Sequence, residues 1–248
     1  MWTLLHGFTG SPDSWSRVLS HAELIRPVSA PWLLGHGSAW RSRAVGSFGA
    51  ECARVQEMSA DTGWSRLLCG YSLGARVALG VLNLVPNRFD AAVLIGAQPG
   101  LDDCDARSER RKLDAQRART LRQDGLPAFV EAWETLPLFA SQRELPDELR
   151  REQRQVRLAH DAEGLARSLE VLGLGEMPSY GPSMGALGIP IILVAGSLDA
   201  KFTRLAESLA ALHANVDVEI IPGAGHNLIL EAPLAIARIL KRVEERVL

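Results

Sequence analysis

The stretch Gly70-Tyr71-Ser72-Leu73-Gly74 decides the fold of this chain of 248 residues. It follows the short apolar run Leu67-Leu68-Cys69 and precedes a segment with apolar residues at helical spacing, so it lies at a turn from strand to helix. The two flanking glycines allow a tight, strained turn, which presents the serine hydroxyl at the N-terminus of the helix. The pattern therefore predicts a nucleophile elbow with Ser72 as the nucleophile.

A serine hydroxyl is inert at neutral pH without a base, so the elbow requires a histidine, which in turn requires a carboxylate to fix its tautomer. Asp199 follows the apolar run at 191–195, and His226 follows the next apolar run, at 216–221. Taken alone, Asp199 is better explained as a helix cap and His226 as a surface-loop residue. Together with the elbow, in the chain order Ser, Asp, His, they predict a catalytic triad of Ser72, Asp199 and His226.

Short apolar runs alternate with helical patterns along most of the chain. The predicted strands are 2–5, 25–30, 67–69, 91–95, 191–195 and 216–221, and helices are expected around 15–22, 45–61, 73–84, 202–212 and 234–247. This alternation predicts an α/β fold with a mostly parallel central sheet flanked by helices. The alternation fails between 102 and 182, where helix-period leucines continue without a convincing strand. We therefore expect a core formed by residues 1–101 and 183–248, with a helical cap inserted at 102–182.

The composition argues against several classes of function. The formal net charge of -2, from 27 basic and 29 acidic side chains, gives no broad electrostatic footprint for nucleic acid or an anionic membrane. No stretch approaches the roughly 20 apolar residues of a membrane helix, and the N-terminus lacks a basic region followed by a long apolar one. We expect a cytoplasmic enzyme with a small-molecule substrate and with neither a nucleic-acid nor a membrane partner. The oligomeric state is left open.

The cysteines and histidines give no sign of a metal or a cofactor. Cys52, Cys69 and Cys104 are odd in number and share no metal-type spacing, which argues against a disulfide framework or a zinc site. We expect each of them to be a small buried hydrophobic residue. The six histidines form no ligand pattern, and no glycine-rich dinucleotide-binding motif opens a helix. The sequence therefore predicts neither a metal nor an organic cofactor.

Two backbone amides are candidates for stabilising negative charge near Ser72. His6-Gly7-Phe8 follows the first predicted strand, where folds with this elbow place half of their oxyanion hole. We expect the N–H groups of Phe8 and Leu73 to converge there.

Arg76 falls in the first helical turn after the nucleophile, which is an unfavourable end of a helix for a cation. An anionic partner explains that position better than simple solvation does.

The chain resembles the α/β-hydrolase superfamily throughout, in the stretches 5–11 (LHGFTGS), 35–38 (GHGS) and the elbow. Within it, the chain is similar to the 2-succinyl-6-hydroxy-2,4-cyclohexadiene-1-carboxylate synthases of menaquinone biosynthesis. The more specific matches are 70–76 (GYSLGAR), 99–101 (PGL) with Arg107, Arg110 and Asp114 beyond it, 157–159 (RLA), 164–166 (GLA), 199–202 (DAKF) and 225–227 (GHN). Because the chain begins almost at the His-Gly strand, we expect a sheet without the family's usual leading hairpin.

This resemblance implies a reaction and a set of site residues. It implies a lyase that eliminates pyruvate from 2-succinyl-5-enolpyruvyl-6-hydroxy-3-cyclohexene-1-carboxylate without a metal or an organic cofactor. It implies that Ser72 acts as the base and that His226 and Asp199 activate it. It also implies a substrate pocket whose lining residues are Tyr71, Arg76, Arg110, Trp133 and Arg157.

Other functions remain open at this point. A serine esterase or a carbon-carbon bond hydrolase of the same fold would use Ser72 as a true nucleophile through an acyl-enzyme. Since fold does not decide function, only the matches in the predicted cap favour the lyase. A non-catalytic ligand-binding member of the fold is disfavoured by the intact triad. For any single arginine of the cap, an ion pair on a solvated helix is the simpler explanation, because acidic residues are interspersed there.

Overall fold

The computed structural model describes residues 1–59 and 66–247 of the chain. Its centre is a six-stranded sheet in the order β2-β1-β3-β4-β5-β6, and each pair of neighbouring strands is parallel. The predicted α/β fold with a parallel sheet is confirmed. The strands are β1 (Trp2–Leu5), β2 (Val28–Ser29), β3 (Leu67–Tyr71), β4 (Ala91–Ile95), β5 (Ile191–Gly196) and β6 (Val216–Ile221).

Helices cover both faces of this sheet. The central strands β3 and β4 are buried throughout, as expected where helices pack on the two faces of a parallel sheet. The helices are α1 (Ser16–Ala22), α2 (Phe48–Met58), α3 (Leu73–Leu84), α4 (Cys104–Gln123), α5 (Gly125–Glu134), α6 (Asp147–Leu158), α7 (Ala162–Leu172), α8 (Ala200–Leu212), α9 (Leu228–Glu231) and α10 (Pro233–Arg246). Short 3-10 helices lie at Pro12–Trp15, Trp40–Arg43, Pro137–Glu144 and Met184–Leu187.

Alternate residues of the central strands belong to two separate hydrophobic clusters, because successive side chains of a strand point to opposite faces. Along β4, Ala92 and Leu94 pack with residues of α2, α3 and α8. Ala91, Val93 and Ile95 pack instead with residues of α1, α9 and α10. Helix packing on both faces therefore stabilises the sheet. The carboxyl edge of the sheet positions the loops that follow β3, β5 and β6.

The segment between β4 and β5 carries four helices, α4 to α7, and contains no strand. It has a hydrophobic cluster of its own, built from Ala118, Leu121, Leu126, Phe129, Val130, Leu165, Ala166 and Leu169. Phe8, from the loop after β1, packs against both this cluster and the cluster under α3. The exact division into a core (1–101 and 183–248) and a cap (102–182) stays a prediction, which this separate packing supports.

The second strand is shorter than the sequence predicted. Of the predicted strand at 25–30, only Val28–Ser29 pairs in the sheet. The amides of Ile25 and Arg26 donate instead to the carboxylate of Glu244 on α10, at 2.8 and 3.0 Å. That carboxylate is completely buried, and leaving it without hydrogen-bond donors would cost free energy. It therefore holds the start of the segment away from the sheet.

Three further expectations can be compared with the structure. Cys52 and Cys69 are buried as expected, but the expectation for Cys104 is wrong: it lies exposed on the first turn of α4. The end of the helix predicted at 45–61 lies outside the described residues. In the described part of the chain, no helix combines the length and apolar composition needed to cross a membrane.

Candidate active site

Ser72 occupies the sharp turn between β3 and α3. Its backbone φ is +53°, in the left-handed region that non-glycine residues seldom adopt, and its amide donates to Ile95 O at 2.8 Å. Gly74 makes the turn possible, because a Cβ there would lie 2.1 Å from the carbonyl oxygen of Leu5 in β1. The predicted elbow is thus present in the structure, and β1, β3 and α3 pack tightly enough to hold it.

Asp199 and His226 reach the serine from the loops after β5 and β6. The Nε2 atom of His226 lies 3.0 Å from Ser72 Oγ, and its Nδ1 atom lies 2.8 Å from Asp199 Oδ2. With Nδ1–H donating to the carboxylate, Nε2 is left to accept the serine hydrogen. Asp199 Oδ1 also accepts from the Phe202 amide at 3.4 Å, so the same side chain caps α8. Asp199 therefore caps α8 and contacts His226 at the same time, and its catalytic role stays a prediction.

The imidazole of His226 sits in a close-fitting aromatic pocket and is almost completely buried. The Phe202 ring lies 4.6 Å from it and the Tyr71 ring 5.6 Å, measured between centroids. Gly96, at the end of β4, supports a third side: its φ is +57°, and a Cβ there would lie 2.7 Å from His226 Cε1. Only glycine fits at this contact without moving the ring.

We expect Gly96→Ala to lower kcat by about 10²-fold, because the added methyl group displaces the His226 ring from Ser72. Steady-state kinetics measures the loss. Gly223→Ala is the matched control, since Gly223 also has a positive φ, +71°, but has nothing within 4 Å of an added Cβ. If both variants lost kcat equally, backbone strain alone would explain the effect and the contact with the ring would not matter.

Two amides near Ser72 are free to stabilise negative charge. Among the described residues, no protein acceptor takes the N–H of Phe8 or of Leu73. Leu73 is the first residue of α3, where helix geometry leaves the amide without an internal partner. Both residues line the cavity that holds Ser72. The pair is therefore available as the oxyanion hole expected from the sequence, and that role stays a prediction.

A group of three buried histidines supports the loop that carries Phe8. His36 Nε2 accepts from the Thr9 amide at 3.1 Å, and His6 Nε2 accepts from the Leu33 amide at 3.1 Å. His160, at the end of α6, approaches His36 with ring centroids 5.3 Å apart. Burial lowers the pKa of His6 to about 3, that of His36 well below its usual range, and that of His160 as well. All three are thus neutral. Protonation of the accepting ring nitrogen would remove the lone pair that accepts the hydrogen bond from the backbone amide.

This group should make the protein sensitive to acid. Unfolded histidines titrate near pH 6.5, so below that pH the unfolded chain binds protons that the folded chain refuses. The free energy of unfolding should therefore fall as the pH decreases from about 7, by up to about 1.4 kcal/mol per pH unit for each histidine. Urea denaturation at about pH 7 and about pH 5.5 measures the slope.

His160→Gln should show a shallower slope, whereas His21→Gln, at an exposed position on α1, should not change it. A free energy of unfolding that stayed level over this range would contradict the assignment of three neutral histidines.

Ser72 opens into a cavity of about 480 Å³, a size typical of small-molecule sites. Its wall contains Tyr71, Arg76, Arg110 and Trp133, four of the five residues that the resemblance implied. Burial raises the pKa of the Tyr71 phenol well above its usual range, so that side chain stays neutral. The cavity brings these predicted residues together with the triad.

Two of the three guanidinium groups of this cavity share one carboxylate, and the third has none. Asp114 on α4 pairs with Arg110 at 2.8 Å and with Arg117 at 3.5 Å. Arg76 donates to the carbonyl of Leu172 at 2.5 Å and, among the described residues, forms no ion pair. Burial and the nearby Arg110 lower the pKa of Arg76 to about 9, because its charge is poorly compensated. The wall therefore carries excess positive charge, which an anionic molecule would balance.

Arg157, the fifth residue, is not brought into this cavity. It is buried on α6, with its guanidinium 5.2 Å from the centroid of the Phe139 ring, and it donates to Glu134 at 2.9 Å. Phe139 lines the Ser72 cavity, and Arg157 lies against its ring. In this position Arg157 supports the wall of the cavity instead of facing its interior.

Sequence reasoning missed three residues of the site. Arg117 carried a usable signal, since Arg110, Asp114 and Arg117 recur at i, i+4 and i+7 and so lie on one helix face. Lys201 stood inside the DAKF match but was not singled out, and its side chain now lines the cavity. Phe139 gave no signal, because it lies in an irregular 3-10 segment, where its own φ is −111°.

In the described ranges, no group of three or more His, Cys, Asp or Glu is arranged to hold a metal ion.

Known proteins resemble this chain over nearly its whole length. The alpha/beta hydrolase family model matches residues 4–239. A Bacillus subtilis (strain 168) protein, provisionally named 2-succinyl-6-hydroxy-2,4-cyclohexadiene-1-carboxylate synthase, is 33% identical over 243 residues, or 95% of this chain and 87% of that protein. A protein of Escherichia coli O1:K1 / APEC with the same name, without the qualification, is 32% identical over 245 residues, or 96% of this chain and 91% of that protein.

A solved structure agrees with the sequence matches. The structure of MenH from S. aureus has a TM-score of 0.91 to this chain at 28% sequence identity, and covers 98% of this chain and 94% of that one. The family match exceeds half the chain, and the relatives cover both the sheet and the helical segment between β4 and β5. This chain therefore belongs to the alpha/beta hydrolase family and is an enzyme of that superfamily.

Proposed function

We propose that this enzyme is a carbon-oxygen lyase of menaquinone biosynthesis. It would eliminate pyruvate from 2-succinyl-5-enolpyruvyl-6-hydroxy-3-cyclohexene-1-carboxylate and release 2-succinyl-6-hydroxy-2,4-cyclohexadiene-1-carboxylate. The names of the relatives from B. subtilis and E. coli support this reaction. The observation that carries the proposal in this chain is the excess of positive charge around Asp114, in the cavity that holds Ser72.

Ser72 and His226 supply the proton transfer. His226 Nε2 takes the hydroxyl hydrogen of Ser72, and Asp199 stabilises the imidazolium that forms. The serine oxygen then removes a proton from a ring carbon of the substrate. The electron pair of that C–H bond, at C2, forms a C2–C3 double bond, the electrons of the original C3–C4 double bond shift to C4–C5, and the C5–O bond to the enolpyruvyl group breaks. The departing oxygen leaves as the enolate of pyruvate, which is protonated to pyruvate, so no water is consumed.

The cationic wall provides the selectivity for this substrate. The substrate carries three carboxylates, on its succinyl, enolpyruvyl and ring positions, and bears more negative charge as the proton is removed. Arg76, Arg110 and Arg117 present planar forks that suit carboxylates, through charge-assisted hydrogen bonds. Trp133 stacks 5.2 Å from the Arg117 guanidinium and fixes its orientation. The amides of Phe8 and Leu73 would hold the oxygen on which charge develops.

A serine esterase or carbon-carbon bond hydrolase is the second candidate. The observation that favours it is the ready triad, with Ser72 Oγ already 3.0 Å from His226 Nε2 and two free amides beside it. Those are the parts an acyl-enzyme mechanism needs. A neutral ester, however, would make no use of the surplus guanidinium groups, which is why the elimination is the first candidate.

One assay separates the two candidates. The purified enzyme is incubated with the enolpyruvyl substrate, with pyruvate measured through a coupled lactate dehydrogenase, and separately with short-chain nitrophenyl esters, with nitrophenol measured by absorbance. The elimination predicts rapid pyruvate release, lost in Ser72→Ala, and slow ester hydrolysis. Fast ester turnover without pyruvate would overturn the proposal and leave the hydrolase.

A further inference from the structure

The backbone of His226 has few contacts of its own. This residue lies between β6 and α9, outside any helix or strand, and in the described part of the chain neither its amide nor its carbonyl forms a hydrogen bond. Its ring contacts Ser72 and Asp199, but those contacts do not fix the backbone from which the ring projects. The position of His226 therefore depends on the residues on either side of it.

Glu231 holds both neighbours of His226 with one carboxylate. Its Oε2 atom accepts from the Gly225 amide at 2.6 Å, and its Oε1 atom accepts from the Asn227 amide at 3.1 Å. The side chain folds back across the short helix α9, and its own amide donates to Asn227 O at 2.8 Å. Gly225 and Asn227 are buried, so their amides require an acceptor. The Glu231 carboxylate provides it for both.

The loop is fixed by different contacts before His226. The Leu198 amide, in the loop after β5, donates to Ala224 O at 2.9 Å. The two loops also pack closely, since a Cβ on Gly196 would lie 2.2 Å from the same oxygen. These contacts hold the backbone only up to two residues before the histidine. Within the ranges that the structure describes, Glu231 is the one side chain bonded to the backbone on both sides of His226.

The charge of Glu231 also acts on the surroundings of the His226 ring. The Tyr71 ring lies 5.6 Å from that of His226, measured between centroids. Burial is the main cause of the raised pKa of the Tyr71 phenol, and the charges of Glu231 and Asp199 also raise it. Two carboxylates therefore serve His226: Asp199 contacts the ring directly, and Glu231 bonds to the backbone behind it.

We propose that Glu231 is a positioning residue for His226 in the proton transfer at Ser72. It does not line the Ser72 cavity, so it acts through the amides of Gly225 and Asn227. Misplacing a catalytic group by about 1 Å can cost about 10²-fold in rate, so loosening this loop lowers kcat and leaves substrate binding nearly unchanged. The inference rests on the proposed role of His226, which elimination and ester hydrolysis share.

The chain offers a matched pair of substitutions. Glu244 also accepts from two backbone amides, those of Ile25 and Arg26, at 2.8 and 3.0 Å, but it lies outside the Ser72 cavity. Glu231→Gln and Glu244→Gln each remove one charge and keep one accepting oxygen. Glu231→Gln should lower kcat about tenfold and leave KM within about twofold, and Glu231→Ala, which removes both acceptors, should lower kcat further. Glu244→Gln should lower the melting temperature and leave the kcat of the folded enzyme unchanged.

Two readouts separate positioning from stability. The constant kcat is measured on both the enolpyruvyl substrate and a nitrophenyl ester, with folding verified by circular dichroism, so a failed pyruvate assay is distinguished from a failed role of Glu231. Nitrogen NMR shifts of the His226 ring, recorded on histidine-labelled protein without substrate, report its hydrogen bonds to Ser72 and Asp199. They should change in Glu231→Gln and stay as in the wild type in Glu244→Gln. Wild-type kcat and ring shifts in folded Glu231→Ala, a loss confined to KM, or an equal loss of kcat in Glu244→Gln would each overturn the proposal.

Discussion

Replacing Ser72 by alanine is expected to lower kcat by about 10³-fold or more and to leave the melting temperature close to that of the wild type. The hydroxyl is the group that His226 activates, at 3.0 Å, and it has no other partner that the fold needs. Removing one oxygen at a half-buried position leaves no sizeable cavity. Pyruvate release under saturating substrate measures kcat, and Ser208→Ala, at an exposed serine of α8, is the matched control.

The three residues of the triad should act as a unit. His226→Ala alone should cost about as much as Ser72→Ala, and the double variant should cost little more than either. Asp199→Asn should also lower kcat by a similar order while keeping the helix cap, because asparagine retains an oxygen for the Phe202 amide. If the loss in the double variant equalled the product of the single losses, Ser72 and His226 would be acting independently, contrary to the geometry.

Arg110→Ala is expected to reduce kcat/KM for the enolpyruvyl substrate by about 2–5 kcal/mol in transition-state free energy. A carboxylate held in the cavity would lose its counter-ion, whereas Asp114 would keep Arg117 as a partner at 3.5 Å. Folding should therefore change little. Arg110→Lys should recover only part of the loss, since lysine keeps the charge but not the planar fork.

The control for this experiment lies on the same helix. Arg119→Ala, at an exposed position of α4, removes an equal charge outside the cavity and should leave kcat/KM nearly unchanged. Hydrolysis of a neutral nitrophenyl ester should be insensitive to both substitutions. Near-wild-type efficiency of Arg110→Ala on the polyanion would show that Arg110 is only part of a solvated ion pair. The hydrolase would then become the better candidate.

Local sequence patterns predicted the elements that depend on neighbouring residues. The elbow at Ser72 follows from glycines two residues away on each side, and strands β1, β4 and β6 follow from short apolar runs with clear ends. Asp199 and His226 were predictable because each lies in the loop that follows a strand, and parallel strands bring their carboxyl ends to one edge. The residues at that edge can therefore be predicted from short segments of the chain.

Contacts between distant segments account for what the sequence did not predict. The strand at 25–30 is shortened by Glu244, which lies about two hundred residues further along the chain. The expected place of Arg157 depends on Glu134 and Phe139, which approach it only when α5 and the irregular segment fold over α6. Neither pairing has a periodic signal. Arg117 is different, since its helical spacing from Arg110 was available and was not used.

The separate hydrophobic cluster of α4 to α7 has a consequence for how this enzyme could acquire new substrates. Residues such as Ala118 and Leu165 stabilise these helices against one another, not against the strands that carry the triad. Exchanges on the cavity side of α4, at positions such as Arg110 and Arg117, therefore alter recognition while the turn at Ser72 keeps its shape. Laboratory evolution directed at this segment should yield folded variants more often than changes near Gly74, where a single added carbon meets the backbone of β1.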